Sequence, residues 1–411
     1  MANHKIINDP VFGFIRIPKG VLYDIVAHRD FFRLSRIRQL GGAYMVYPGA
    51  QHTRFQHSLG AFHLMTKAVD TLQKKGVGIT EAEAEAVEAA ILMHDIGHGP
   101  FSHVLEHTLI SGIAHEDISL MIMERLNKEF GDRLSLAIKI FRDKHTKHFL
   151  HQLISSQLDM DRLDYLRRDS FFTGVTEGNI GSDRIIDMLH VQNDRLCVEK
   201  KGIYSIENYL ISRRLMYWQV YLHKTGVAAE HVLINALQRA KDLARGGAEL
   251  FCSPSLRFFL YQEIDKERFI SDADSLDNYM NLDDNDIFSA LKVWQSHADP
   301  ILSLLARDFI GRNIFRVEVT DESNPVSSAE SGNQEEIVQQ LASKYDISID
   351  DARKYLVSNL TIGRDMYSTD EDKIEILMKD GTIKDISEVS DILNIETLSK
   401  KVRKNFFCYQ R

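Results

Sequence analysis

Apolar residues recur with the helical period over most of the chain, from about residue 20 to residue 315. The chain has seven prolines in 411 residues, so long helices are seldom interrupted. Residues 53–75 predict one amphipathic helix, and the next is predicted to begin at Thr80, which Glu83 follows at capping-box spacing. Further helices are predicted from near Pro100 and over about 115–130, 133–143, 148–168, 204–223 and 226–245. The pattern predicts a mainly α fold.

Two short strand pairs are predicted among the helices. The first pair, His190–Asn193 and Leu196–Glu199, flanks Asp194. The second pair, Lys373–Met378 and Thr382–Ile386, flanks an Asp-Gly turn signal. The sequence therefore predicts short β-hairpins beside the helices.

A change in composition near residue 316 predicts two parts. The helical body is expected to cover residues 1–316, and a smaller α+β region is expected over 317–411. Between them, residues 320–336 have almost no large apolar side chains, which predicts a polar loop.

Composition narrows the class of protein. The three cysteines are widely spaced, which argues against a disulfide framework or a cysteine-based zinc site. No window has the roughly 18 nearly uncharged apolar residues of a membrane span, and the first 20 residues do not resemble a signal peptide. We therefore expect a cytoplasmic protein that makes no membrane contact. The net charge of −9 argues against a wholly basic nucleic-acid binder. The basic run at 400–404 has two possible interpretations: a local nucleic-acid-binding segment or a solvated helix face.

Histidine is concentrated in one part of the chain: 11 of 17 histidines lie between His52 and His151. Among the side chains of this part, His57, the adjacent pair His94-Asp95, and Asp161 offer two imidazoles and two carboxylates that suit one divalent metal. The ligand types are compatible with Fe, Mn, Zn, Ni or Co. A single histidine on a helix is more often packed or exposed than metal-binding, so the hypothesis depends on the loop HDIGHGPFSH, which adds two histidines beside two glycines and a proline.

Four motifs give the chain a resemblance to a known family. They are HTRFQHSLG (52–60), HDIGHGPFSH (94–103), AHED (114–117) and LDMDRLDYLRRD (158–169), within a core at 50–170. In order and spacing they resemble the HD-domain phosphohydrolases, and most of all the deoxynucleoside triphosphate triphosphohydrolases. The resemblance implies an HD-domain helical body. It also implies that the same four side chains bind the metal.

The resemblance further implies a set of residues around the scissile phosphate. His98, His103 and His115 match the catalytic histidines of the family, and Glu106 stands where relatives usually have an aspartate that supports a histidine. Arg54, three residues before His57, lies on the same helical face and is suited to a metal-bound phosphate.

The remaining substrate contacts are implied by family position alone. By this resemblance, the phosphates are contacted by Arg162, Tyr165 and Arg213. The sugar 3′-hydroxyl is bound by Gln39 and Asp169, and the sugar ring packs against Leu40 and Tyr221. Without the resemblance, the charges at 161–169 would indicate a solvated helix face, and the aromatic stripe at 217–221 would indicate core.

These residues predict hydrolysis of deoxynucleoside triphosphates to deoxynucleoside and inorganic triphosphate, with one divalent transition metal and Mg²⁺ carried by the nucleotide. The alternatives are another HD phosphohydrolase activity, such as a nucleotide phosphatase or phosphodiesterase, and a catalytically weak regulatory oligomer that binds nucleotide or nucleic acid. The resemblance also implies a homo-oligomer, dimer or tetramer, and leaves a nucleotide activator open. Ser35 stands where relatives carry a guanine-reading arginine, which argues against guanine-specific activation by the same contact.

Overall fold

Helices make up most of the computed structural model, which describes residues 4–102, 106–321, 328–364, 367–368, 373–391 and 402–411. In chain order the helices are α1 (Val21–Ala27), α2 (Arg29–Phe32), α3 (Arg54–Lys74), α4 (Glu81–Met93), α5 (Glu106–Leu109), α6 (His115–Glu129), α7 (Ser135–Phe141), α8 (His148–Gln152), α9 (Met160–Thr173), α10 (Ser182–Asp187), α11 (Ile203–Met216), α12 (Lys224–Arg245), α13 (Pro254–Tyr261), α14 (Lys266–Ser271), α15 (Ala273–Met280), α16 (Asp284–Trp294), α17 (Pro300–Gly311), α18 (Ser328–Tyr345), α19 (Ile349–Tyr355) and α20 (Ile386–Val389). This architecture confirms the predicted mainly α fold with short β elements. No helix in the described ranges is both long and apolar enough to cross a bilayer.

The core forms around α3, which packs against α4 and α9. Its buried face includes Leu59, Phe62 and Leu72, as the helical period predicts. A capping box begins the helix at Thr53, and a second one begins α4 at Thr80, where the hydroxyl accepts the Glu83 N–H. The sequence prediction for these two helix starts is therefore confirmed.

Three other helix predictions were wrong in detail. The segment from Pro100 is a turn, because Phe101 and Ser102 adopt positive φ values of 53° and 56° that no right-handed helix accommodates. The helix predicted over 148–168 is two helices, since the Asp159 side chain accepts the Arg162 N–H and starts α9 anew. The helix predicted over 204–223 changes at Tyr217 into a π-helical turn that ends at Tyr221.

The strands lie in three small sheets. They are β1 (His4–Asp9), β2 (Gly13–Pro18), β3 (Leu189–Gln192), β4 (Arg195–Glu199), β5 (Arg316–Asp321), β6 (Val357–Arg364), β7 (Glu375–Leu377), β8 (Ile383–Asp385) and β9 (Val402–Tyr409). The antiparallel pairs β3–β4 and β7–β8 confirm both predicted hairpins. They share one sheet in the order β3-β4-β7-β8, in which β4 and β7 are parallel and Val198 is in register with Ile376. This sheet joins strands from both sides of the predicted boundary at residue 316, and the division into two parts stays a prediction.

The predicted polar loop at 320–336 is shorter than expected. Strand β5 continues to Asp321, and α18 is helical from Ser328. The second half of α18 buries Val338, Leu341 and Ala342, and a polar first half can extend a helix that packing has already fixed.

The end of the chain forms a strand. Phe406, Phe407 and Cys408 are buried in β9, the central strand of the antiparallel sheet β5-β9-β6. The aromatic tail therefore packs on its own chain, and the alternative of a solvated helix face at 400–404 is wrong from Val402 onward; residues 400 and 401 lie outside the described residues. Lys404 lies over the Trp218 ring, with Nζ 4.3 Å from its centroid.

Helices α3 and α9 approach each other closely at Gly60, one turn after His57. A methyl group on Gly60 would lie 1.9 Å from Asp164 Oδ1 and 2.2 Å from an Arg168 nitrogen, both of which are buried. Only glycine therefore permits this crossing.

We expect Gly60→Ala to lower the free energy of unfolding by about 1–3 kcal/mol, because the methyl group forces buried charged groups apart. Urea denaturation followed by circular dichroism measures the change. The control is Gly226→Ala in α12, where an added carbon meets no atom within 4 Å and stability should rise by about 0.5–1 kcal/mol. A Gly60→Ala protein as stable as the parent would contradict the packing argument.

Candidate metal centre and adjoining cavity

The four side chains predicted to bind a metal meet at one buried point. His57 comes from α3, His94 and Asp95 follow the end of α4, and Asp161 lies in the first turn of α9. His57 Nε2 is 3.3 Å from His94 Nε2, 3.0 Å from Asp161 Oδ1 and 3.5 Å from Asp95 Oδ2. His94 Nε2 is 3.4 Å from Asp161 Oδ1. The structure thus brings the four predicted ligands together.

Hydrogen bonds on the far side of each imidazole fix its orientation. His57 Nδ1 is 2.6 Å from Asp164 Oδ2, and His94 Nδ1 is 2.7 Å from the Ile91 carbonyl oxygen. Both acceptors require a proton on Nδ1, so each Nε2 is directed at the shared point, where a bound metal can take the place of a proton. Carboxylate–histidine pairs of this kind are typical of metal sites.

The electrostatics of the cluster favour a cation. Burial alone would lower the pKa of His57, but hydrogen bonds to Asp161 and Asp164 outweigh burial and raise this pKa to about 10. Burial would raise the pKa of Asp161, yet its contacts with His57 and His94 lower it. The cluster therefore stabilises positive charge where the side chains meet. His57, His94 and Asp161 place two imidazole nitrogens and a carboxylate oxygen within 4.8 Å of one another. With Asp95 Oδ2, which is 3.5 Å from His57 Nε2, this set fits a divalent transition metal.

Asp95 also contacts a second group of histidines. His98 Nε2 is 3.4 Å from Asp95 Oδ1, and the His98 ring stacks on His115 with centroids 3.8 Å apart. Burial lowers the pKa of His98 well below its usual range, so this imidazole is neutral near pH 7. His103 lies outside the described residues, as does the side chain of Glu106.

Arg54 lies beside a strained turn, between a cavity and the four predicted metal ligands His57, His94, Asp95 and Asp161, which we call the metal cluster. The Arg54 guanidinium pairs with Asp95, and its Nε donates to Ser102 Oγ at 2.7 Å. Ser102 and Phe101 both have positive φ, which costs free energy for residues other than glycine. Asp284 of α16 holds the turn by accepting the Phe101 N–H at 2.7 Å and the Arg38 N–H at 3.0 Å.

The cavity beside Arg54 has a volume of about 520 Å³, which is in the range of small-molecule sites. Six of the eight predicted substrate-binding residues line it: Gln39, Leu40, Arg54, Tyr165, Asp169 and Tyr221. Within the described part of the chain, the buried Gln39 Oε1 has no hydrogen-bond donor. Such an acceptor is available to a ligand hydroxyl.

Arg162 and Arg213, the other two predicted substrate residues, lie close to Tyr165. Burial and the neighbouring Tyr217 raise the pKa of Tyr165 well above its usual value, against the opposing effect of the two guanidinium groups, so Tyr165 remains a neutral hydroxyl donor. Arg162 pairs with Asp159. By contrast, Arg213 is 9% exposed, and its Nε and one terminal nitrogen have no acceptor among the described residues. A buried guanidinium without a carboxylate is suited to an anion.

Sequence reasoning missed several residues that hold this site. His52 Nε2 is 2.7 Å from Asp169 Oδ1, and the Tyr221 hydroxyl donates to Asp169 Oδ2 at 2.8 Å. Asp164 orients His57 and also accepts from Arg168 Nε at 2.9 Å. Both His52 and Asp164 stand inside the motifs already noted. The pairs His52–Asp169 and His57–Asp164 nevertheless join residues more than 100 positions apart, so no local signal indicates them.

Comparisons with known proteins agree with this geometry. Residues 54–169 match the family described as HD domain, and residues 180–251 match the HD associated region. A crystal structure of a phosphohydrolase from Bacteroides thetaiotaomicron VPI-5482 is 60% identical and superposes with a TM-score of 0.95, covering 99% of this chain and 100% of that one. The uncharacterized protein YwfO of Bacillus subtilis is 32% identical over 100% of this chain and 92% of its own length. The deoxynucleoside triphosphate triphosphohydrolase SAMHD1 homolog of Dictyostelium discoideum is 30% identical over 59% of this chain and 50% of its own length.

The comparisons define the class of protein, and the cluster of His57, His94, Asp95 and Asp161 is consistent with it. The chain belongs to the HD-domain phosphohydrolases, whose HD domain implies metal-dependent phosphate-ester hydrolysis.

We expect Asp164→Asn to weaken metal binding by about 10–100-fold, because the amide no longer fixes the His57 tautomer. The dissociation constant for Mn²⁺ or Zn²⁺ is measured by competition with a chromophoric chelator. Asp159→Asn is the control. Asp159 is also a buried carboxylate of this region, at the start of α9, but it contacts Arg162 and none of the predicted metal ligands. Unchanged affinity in a folded Asp164→Asn protein would contradict the orienting role.

Proposed function

We propose that this chain hydrolyses deoxynucleoside triphosphates to deoxynucleoside and inorganic triphosphate. The observation that carries the proposal is the uncompensated guanidinium of Arg213, which lies close to the Tyr165 wall of a nucleotide-sized cavity adjoining the metal cluster. A triphosphate carries about four negative charges and needs cations placed in this way.

The relatives support the same substrate class. The Dictyostelium protein is named for deoxynucleoside triphosphate hydrolysis, but this chain spans only half of its length. Its activity is therefore carried over as a proposal about this chain. A homo-oligomer and a nucleotide activator are proposed from the resemblance of the sequence motifs to the family.

The cavity wall supports a deoxyribose subsite. Asp169 and Gln39 present oxygens that can accept the sugar 3′-hydroxyl, while Leu40 packs against the ring. His52 and Tyr221 hold Asp169 in place. The Tyr221 ring is assigned to the face beneath C2′, where it would leave no room for a 2′-hydroxyl.

In the proposed reaction, water attacks the α-phosphorus and the bond to the 5′-oxygen breaks, so that water loses one proton and the 5′-oxygen gains one. When bound, the metal supplies a Lewis acid and acidifies water. Arg54, Arg162 and Arg213 orient the triphosphate and offset the charge that develops on it. His115 and His103 are the candidate proton carriers, while the neutral His98 can accept a proton or a hydrogen bond near Asp95.

Product analysis tests the proposal. Metal-loaded protein is incubated with each dNTP and with GTP, singly and mixed, and the products are separated by ion exchange. We expect deoxynucleoside and intact triphosphate, with activity abolished by His94→Ala because one of the four ligands is lost.

Other products select among the alternatives. Orthophosphate would indicate a phosphatase, and cleavage of a diester substrate instead would indicate a phosphodiesterase. Tight nucleotide binding without turnover in any mixture would indicate a regulatory oligomer. An Asp161→Ala protein that lost its metal but kept full activity would contradict the metal-dependent mechanism.

We expect Arg213→Ala to lower kcat/KM for a dNTP by about 10–100-fold, because it removes a buried phosphate contact. Arg214→Ala is the control, since Arg214 lies about 100° further around the same helix and, unlike Arg213, is not one of the cations that act on Tyr165. It should leave kcat/KM near the parent value. Equal effects of the two substitutions would contradict a specific role for Arg213.

A further inference from the structure

One carboxylate on the cavity wall has no role in the chemistry described above. Glu230 lines the cavity from α12, one helical turn after Gly226, which lines it too. A carbon added to Gly226 would meet no atom within 4 Å. Glycine therefore leaves open volume beside Glu230.

The Glu230 carboxylate has no partner within the described part of the chain. Neither an ion pair nor a hydrogen bond links it to another described side chain, and burial raises its pKa to about 7. The other charged groups on this wall are engaged: Asp169 with His52 and Tyr221, and Arg54 with Asp95 and Ser102. A half-buried carboxylate that faces a cavity and has no cation as its partner is suited to hydrogen-bond donors on a ligand.

The position of Glu230 identifies the part of the ligand that it would meet. The metal cluster, Arg54 and Arg213 account for the phosphates, and Tyr221 with Asp169 accounts for the sugar. Helix α12 begins three residues after Tyr221 and carries Glu230 along the same cavity. The base is the part of a nucleotide that remains to contact it.

Base chemistry then discriminates among the four substrates. Guanine presents two adjacent donors, N1–H and the N2 amino group, which an ionised carboxylate can accept together. Adenine and cytosine place an acceptor nitrogen beside the amino donor, and thymine has one donor between two carbonyl oxygens. An ionised carboxylate repels each of these acceptors, so guanine alone offers it two hydrogen bonds.

We propose that Glu230 reads the base of the substrate and selects guanine, which makes deoxyguanosine triphosphate the preferred substrate. The proposal rests on the proposed hydrolysis of deoxynucleoside triphosphates. The paired donors of guanine keep the carboxylate charged in its partly buried setting. Glu230 is thus a specificity-determining residue.

The test compares Glu230→Gln and Glu230→Ala with the parent protein on all four dNTPs. We expect the parent to favour dGTP in kcat/KM by roughly 10–100-fold, as one bidentate contact permits. The glutamine variant presents one acceptor and one donor, which matches adenine and cytosine, so its preference should move toward dATP and dCTP. The alanine variant should lose most discrimination. Glu267→Gln, an exposed glutamate of α14, is the control and should keep the parent's preference.

Binding of dNTP analogues in which a methylene group replaces the 5′-oxygen, measured by calorimetry, separates this proposal from the proposed function, because the bond that the proposed reaction breaks is then absent. Failure to hydrolyse any dNTP, with guanine still bound most tightly and dependent on Glu230, would overturn the reaction but keep the base assignment. Hydrolysis of all four dNTPs with equal kcat/KM by the parent would overturn the base assignment and keep the reaction. So would a glutamine variant that loses activity equally on every base.

Discussion

The contact on which the site depends is the buried carboxylate of Asp164, which lies between His57 and Arg168. It accepts from the imidazole on one side and from the guanidinium on the other, and Arg168 also donates to Asp9 at 2.8 Å. All four groups are shielded from water, so each charge depends on the next for its stabilisation. This chain of contacts links the end of β1 to α9 and α3, and it fixes the direction of a predicted metal ligand. The missing side chain of Gly60 makes room for it.

Sequence patterns predicted the parts of the molecule that local chemistry determines. The period of α3, the capping box at Thr80 and the Asp-Gly hairpin are set by neighbouring residues. The four side chains predicted to bind a metal could be named because the motifs resemble those of a known family in order and spacing. The pairs His57–Asp164 and His52–Asp169 were missed because their members come from distant segments. The turn at Phe101 was predicted as helix because Pro100 is common in a first turn, while the contact that imposes positive φ comes from Asp284, 183 residues later in the chain.

The same distinction between local and distant contacts explains the errors in the carboxyl-terminal part. The parallel pairing of β4 with β7 joins residues more than 170 positions apart, and no turn signal can indicate it. Residues 328–336 appear unstructured by composition alone. Their helix is fixed by the apolar face of the following residues, Val338 and Leu341. Packing supplied from elsewhere in the chain decided each of these elements.

Although Asp164 and Arg168 pair directly on α9, Asp161 on the same helix is not paired with Arg213. Asp161 in its first turn belongs to a cluster that stabilises a cation, whereas Arg213 from α11 presents an unpaired guanidinium nearby. A direct ion pair between Asp161 and Arg213 would stabilise the protein, but neither side chain would then be available to a ligand. Neutral hydroxyls of Tyr165 and Tyr221, whose pKa values burial raises, stand along the cavity wall instead. Keeping charges unpaired costs folding stability, a cost that active sites commonly carry. Because one helix carries both Asp161 and Tyr165, the backbone fixes the spacing between the carboxylate and the neutral hydroxyl, and this spacing persists without any ligand.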